Sequence, residues 1–127
     1  MSEIADREDT DKPDLTLNLL GKEANEGEAR VWAVGAKKYA RGNWLKGMEI
    51  SRAAASLIRH LMKFLNGENN DNETGLPHVD HIVCCAKILS QSYHIRKNLD
   101  DRPSTQLAIK TQYSHTRMSK KGDTCQS

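Results

Sequence analysis

Aromatic side chains are scarce in this chain: one Phe, two Trp and three Tyr make up 5% of its 127 residues. Hydrophobic residues of all kinds reach 37% against 28% charged, and the mean hydropathy is -0.71. So little core-forming material in 14.3 kDa fits one small domain and excludes two independent cores. It also implies that part of the chain is flexible, that copies associate, or both. No run of about 18 apolar residues occurs, which excludes a membrane-spanning helix of the usual kind. The opening MSEIADREDTDK is acidic where a secretory signal carries a basic and then an apolar stretch, so a cytoplasmic protein is expected.

Cysteine is also sparse. Cys84, Cys85 and Cys125 make neither a disulfide framework nor a paired CxxC zinc site, which agrees with a reducing, intracellular setting. Alternating β-branched runs and internal repeats are missing, and with them goes the case for a substantial sheet or a solenoid. The expectation is an all-α fold.

What is present is unevenly charged. The net charge of +2 conceals nine acidic and three basic side chains within residues 1 to 28, so the remainder is strongly basic. A basic body attracts anions such as phosphate, nucleotides or nucleic acid. Signatures of common nucleic-acid-binding domains are missing, and nucleic acid is not the expected partner.

Residues 1–27 read as a flexible acidic arm, 28–103 as a helical domain and 104–127 as a polar tail that adds at most one more element. Val31, Trp32, Ala36 and Tyr39 are spaced for a first helix over about 28–40. Gly42 and Gly47 bracket Trp44 in a loop. Ile50, Ala54, Leu57, Ile58, Leu61 and Leu65 recur at steps of three and four, which predicts a second helix over 49–66. The polar run NGENNDNETG connects it to a third helix. That helix is expected to start at Pro77, with Thr74 as a candidate cap, and to reach about Tyr93. A short connection favours an antiparallel helix pair as the core.

Chemistry concentrates in residues 59–81, which hold Arg59, His60, Glu68, Asp71, Glu73, His78, Asp80 and His81. His78 and His81 share one side of a helix, and an antiparallel partner brings His60 to their level. Glu68, Asp71 and Glu73 with His78 and His81 are candidate ligands for Mg²⁺ or Mn²⁺. Lys37, Lys38, Arg41 and Arg59 are candidates to stabilise charge on phosphate. A histidine acting as general base without a metal is the alternative, since its pKa of about 6.5 lies near working pH. KKYARGNW offers cations for phosphate and an aromatic for a base. The ordinary reading of each feature is blander: loop carboxylates are solvated, His60 is a satisfied buried histidine, and Trp32, Trp44, Cys84 and Cys85 are core.

The ordered series KKYARGNWLKGM, RHLMKFLNGENNDNETGLPHVDHIVCCAKIL and DDRP resembles the small domain named for dATP/dGTP diphosphohydrolases, found with MazG-like nucleotide pyrophosphohydrolases of phages. The likeness covers about residues 30–103. A KYxxGNW segment falls on Lys38, Tyr39, Gly42, Asn43 and Trp44, and an RH pair on Arg59 and His60. A GExxDxExGxxH loop falls on Gly67, Glu68, Asp71, Glu73, Gly75 and His78, and the closing DDRP on Asp101, Arg102 and Pro103. The resemblance implies an all-α, phage-type homo-oligomer in the host cytoplasm that hydrolyses purine deoxynucleoside triphosphates to monophosphate and pyrophosphate with a divalent ion. On that basis His60, Glu68, Asp71 and His78 are the candidate catalytic residues. Lys38, Tyr39, Arg41, Asn43, Trp44 and Arg59 are the candidate substrate contacts. The helical ExxE and ExxD pairs usual in MazG-like enzymes are not evident here, where acids lie in a loop beside histidines. A His- and Asp-dominated metal shell, or a protein that sequesters a nucleotide without cleaving it, therefore stands as the alternative.

Overall fold

The computed structural model describes residues 3–104, so most of the expected polar tail, Cys125 included, lies outside the described residues. Three α-helices and three short 3₁₀ segments carry the fold, and no strand is formed among the described residues. The helices are α1 (Lys22–Lys38), α2 (Ile50–Leu65) and α3 (His78–Ile95). None is long and apolar enough to cross a membrane.

The helix α2 falls where its apolar spacing places it, and α3 starts one residue after Pro77. Pro77 occupies the capping position with no side-chain cap, and Thr74 serves the preceding loop instead. The contacts between the two helices set their register. His60 meets His78 and Ser56 meets Cys85, while the Met48 N–H just before α2 reaches Ser92 Oγ (3.1 Å). Positions late in one helix thus face positions early in the other.

The first helix begins at Lys22, inside the stretch expected to be arm, and ends at Lys38. Its early turns are supported by an ion pair of Lys22 with Glu26 (3.0 Å) and by Glu23 near the positive end of the helix dipole. Gly27, a composition boundary in the sequence, is a buried crossing point. A side chain there would stand 2.3 Å from Asp80 Oδ1 on α3. Upstream, Asp14 caps a 3₁₀ turn over Leu15–Leu19 by accepting from Thr16 N–H (3.0 Å).

The Trp44 segment forms a 3₁₀ turn over Asn43–Lys46 and stops at Gly47. There φ is +85°, and a Cβ would approach Leu99 to 2.8 Å, so glycine suits both the backbone and the packing. The closing DDRP locks two ends together. Asp101 accepts from Ser51 N–H (2.8 Å) and Ser51 Oγ (2.5 Å), which satisfies free donors in the first turn of α2. Arg102 pairs with Asp100 through two nitrogens (2.8 and 2.7 Å).

The buried set is small and mixed: Ile50, Ala53, Cys84 and Cys85 are apolar, whereas Glu28, His78 and Ser92 are polar. Every buried side-chain nitrogen or oxygen among the described residues has a hydrogen-bond partner. Burial, with Glu28 and Cys85 adding to it, pushes the Cys84 thiol up to about 12, so this cysteine behaves as packing.

Candidate functional site

The loop between α2 and α3 is folded by its own polar groups. The Asp71 N–H donates to Leu76 O (2.8 Å) and His78 N–H to Asn69 O (2.9 Å), closing a tight double-backed turn. Asp71 Oδ2 accepts from Glu73 N–H (3.1 Å), Thr74 N–H (3.0 Å) and Thr74 Oγ1 (3.2 Å). All side-chain hydrogen bonds of Asp71 among the described residues use this one oxygen, and Oδ1 remains free for other work. Burial raises the Asp71 pKa, but the Thr74 bonds and nearby imidazoles outweigh it and hold the carboxyl below its usual range.

This loop delivers His78 into the interior, where its side chain is 0% exposed. His78 Nε2 lies 2.6 Å from Glu68 Oε2, and His78 Nδ1 lies 2.8 Å from Nδ1 of His60 on α2. An ionised Glu68 only accepts, so His78 Nε2 carries a proton. In a neutral His78 the other nitrogen is then an acceptor, and the proton between the rings belongs to His60 Nδ1. His60 Nε2 is left with a lone pair.

His81, on the next turn of α3, stacks flat on His60 with centroids 4.5 Å apart and planes 5° from parallel. Its Nε2 is 2.8 Å from Thr74 Oγ1. The hydroxyl can donate to Asp71 and accept from His81, so the second histidine of the cluster is tied into the same loop. Burial first, then the neighbouring His81, lowers the His60 pKa, although Asp71 opposes. Burial likewise lowers His81 against the pull of Asp71. Neutral imidazoles are favoured.

One potential donor atom each from His60, Asp71 and His78 lies within 4.8 Å of the others, a spacing that a divalent ion could use. Glu68 is placed behind His78, on the nitrogen away from His60. A carboxylate on the far nitrogen of a ligating imidazole is the usual outer support of a metal site. His81 and Glu73 fall outside this three-donor set. His81 stacks beside it, and Glu73 offers Asp71 its backbone N–H while its side chain is exposed.

His60 and His81 also line a cleft of about 820 Å³ between α1, the Trp44 turn and the α2–α3 pair. Lys38, Tyr39, Arg41, Asn43 and Trp44 line the same cleft, so the structure gathers these five residues around the space that the two imidazoles border. Arg59 is exposed and does not line the cleft. Lys37 does not line it either.

The sequence reading missed Glu28. This carboxylate is buried in α1, accepts from Trp32 Nε1–H (2.7 Å) and pairs with Lys87 Nζ (2.6 Å) on α3. Trp32 in turn stacks on Trp44 with centroids 4.5 Å apart. The available signal was the spacing of four between Glu28 and Trp32, which puts them on one helix face.

A dATP/dGTP diphosphohydrolase of Salmonella phage PMBT28 is 33% identical over 92 residues, which are 72% of this chain and 31% of the relative. The chain thus spans about a third of that protein's length. No solved structure matches. The sequence profile of the family described as dATP/dGTP diphosphohydrolase, N-terminal, matches residues 2–102 and takes in the cleft wall, the imidazole pair and the Asp71 loop; the chain belongs to that family.

Proposed function

We propose that this domain hydrolyses purine (deoxy)nucleoside triphosphates to the monophosphate and pyrophosphate with the help of a divalent ion, Mg²⁺ or Mn²⁺. The observation that carries the reading is that His60 lines one cleft together with Lys38, Arg41 and Trp44. The name of the phage relative supplies the substrate class. An aromatic wall suits a base, and the two cations suit phosphate oxygens.

His60, Asp71 and His78 would hold the ion, with Glu68 orienting His78. Their donor atoms fit one cation, and binding at both Nδ1 atoms would displace the proton now shared by the two rings. When bound, the ion supplies neutralisation of phosphate charge and a more acidic water. The chain's own residues do the rest. Lys38 and Arg41 draw the polyphosphate to the cleft, the Glu68 contact fixes the His78 ring, and His81 packs against His60 and limits its rotation. Where no ion is held at its Nδ1, the lone pair of His60 Nε2 can instead take a proton from the attacking water.

The test is incubation of purified protein with dATP or dGTP and Mg²⁺ or Mn²⁺, followed by measurement of pyrophosphate. Release that falls at least ~100-fold in His60→Ala and His78→Ala is expected. No pyrophosphate from any purine triphosphate would overturn the reading. Binding without turnover is the second reading, favoured by the 31% share of the relative that this chain matches. Catalysis in the relative could reside in the other two thirds, and calorimetry showing saturable nucleotide binding without hydrolysis would select it.

A further inference from the structure

Two observations outside the imidazole cluster meet at the cleft. The first is the indole pair: Trp32 and Trp44 are stacked 24° from parallel, are both part-exposed, and line the same cleft as His60. The second is the buried anchor behind them. Glu28 is 8% exposed, yet it is ionically paired with Lys87 and accepts the indole N–H of Trp32. Its backbone carbonyl also faces Cys84 Sγ (3.5 Å) on α3.

A carboxylate is an expensive way to pack an indole. Burying it carries a desolvation cost that only good partners offset, and an apolar side chain would fill the space at lower cost. What the carboxylate adds is direction. A charge-assisted bond to Nε1 fixes the rotation of the Trp32 ring, which packing alone leaves looser. Fixing Trp32 in turn fixes the plane of Trp44, since the two rings are in face contact. Burial raises the Glu28 pKa, but the Lys87 and Trp32 bonds overcome this and hold it below its usual range, so the anchor is charged at neutral pH.

We infer that Trp44, backed by Trp32, is the surface on which the purine base stacks, and that Glu28 with Lys87 is the positioning pair that holds this surface in plane. This rests on the nucleotide reading above and deepens it, assigning base recognition to a stacking face and to residues on α1 and α3. Stacking on an indole face tolerates any purine, so one platform accommodates adenine and guanine alike.

The chain has two tryptophans, and both belong to the stack, so its indole emission reports on this feature alone. The experiment titrates the protein with dGTP, with dATP and with inorganic tripolyphosphate, which carries the phosphates without a base. Either purine triphosphate is expected to quench emission, and tripolyphosphate is expected to bind with little quenching. Trp44→Ala should weaken purine triphosphate binding ~10-fold and leave tripolyphosphate binding unchanged, and Trp44→Phe should recover most of the loss. Glu28→Gln should shift the emission maximum and raise KM for dGTP with kcat held. Equal weakening of all three probes by Trp44→Ala, or no purine preference over tripolyphosphate in the unaltered protein, would overturn the platform alone. A protein that binds none of the probes would overturn the nucleotide reading and the platform together.

Discussion

Asp101 and Asp71 are both loop aspartates, yet one ties a helix start to the chain's closing turn and the other lies beside the imidazoles. Asp101 accepts two bonds from Ser51 at the start of α2, some fifty residues away in sequence. Asp101→Ala should cost about 1–2 kcal/mol, as loss of a helix cap does, and a urea or thermal melt will show it. KM for the nucleotide should not change, and a selective loss of binding would contradict a structural role. The imidazoles offer a second check. His60 and His81 are both held low by burial in the folded protein, so the unfolded chain takes up protons that the folded one refuses. Stability should therefore rise with pH between the depressed folded values and the unfolded value of about 6.5. The carboxylates of Glu28 and Asp71 are held down instead, and their contribution is lost only as pH falls below the ordinary values of 4.5 and 3.8. With chelator present to remove metal, the thermal midpoint should drop as pH is lowered from 7 to 5.5, and His60→Gln should flatten that slope. A midpoint that is level or rises over this range would contradict the buried, neutral state of the pair.

Among the elements, α2 was the most legible in sequence because apolar residues recur at steps of three and four with no Gly or Pro to interrupt them, whereas α1 shows how tertiary contact overrides local preference. Gly27 lowers helix propensity and marks a change of composition, and both signs point to a boundary. The helix runs through it because α3 approaches so closely that Asp80 fills the place of a side chain. No periodicity in α1 can reveal a neighbour fifty-three positions away. The consequence is testable by paired substitution. Gly27→Ala forces the Asp80 carboxylate aside and should destabilise by up to about 1 kcal/mol, even though alanine is the better helix former. Removing the obstacle as well, in Gly27→Ala/Asp80→Ala, should restore stability to the original level or above it by up to about 1 kcal/mol. If the double variant is as unstable as the single one, the crossing at Gly27 is not as close as the structure shows. The imidazole cluster was legible for a related reason: His60 and His78 flank one short connection, so a helix pair brings them together wherever the loop leads. Which acid joins them was not legible. Glu68, Asp71 and Glu73 are alternatives in a polar run, and only the Asp71-centred turn decides that Asp71 joins the three-donor set, Glu68 supports from behind and Glu73 faces solvent.

At the scale of the molecule, the thin core expected from composition is real, and the apolar residues that the sequence does supply are not all used within one copy. An apolar period of three and four predicts a single buried stripe on α2, but the structure divides it. Ala53, Ser56 and His60 turn toward α3, whereas Ile58 (51% exposed), Leu61 (38%), Met62 (57%) and Leu65 (71%) form a second stripe at helical spacing that faces outward. A row of four large apolar side chains on one exposed helix face is more than scattered surface hydrophobicity explains, and a second copy of the chain is the simplest cover for it. Association through α2 would leave the cleft open, because His60 reaches it from the opposite, α3-facing side of the same helix and His81 from α3 itself. Light scattering coupled to size exclusion should therefore return a mass above the 14.3 kDa of one chain. Leu61→Lys/Leu65→Lys should shift that mass to the monomer while circular dichroism stays helical, since both side chains are already exposed. Pyrophosphate release per chain should persist in the monomeric variant if each cleft is complete in one copy, and its loss would show that the partner helps to build the site. A single-chain mass for the unaltered protein at concentrations of about 100 µM would overturn association through the outward stripe of α2.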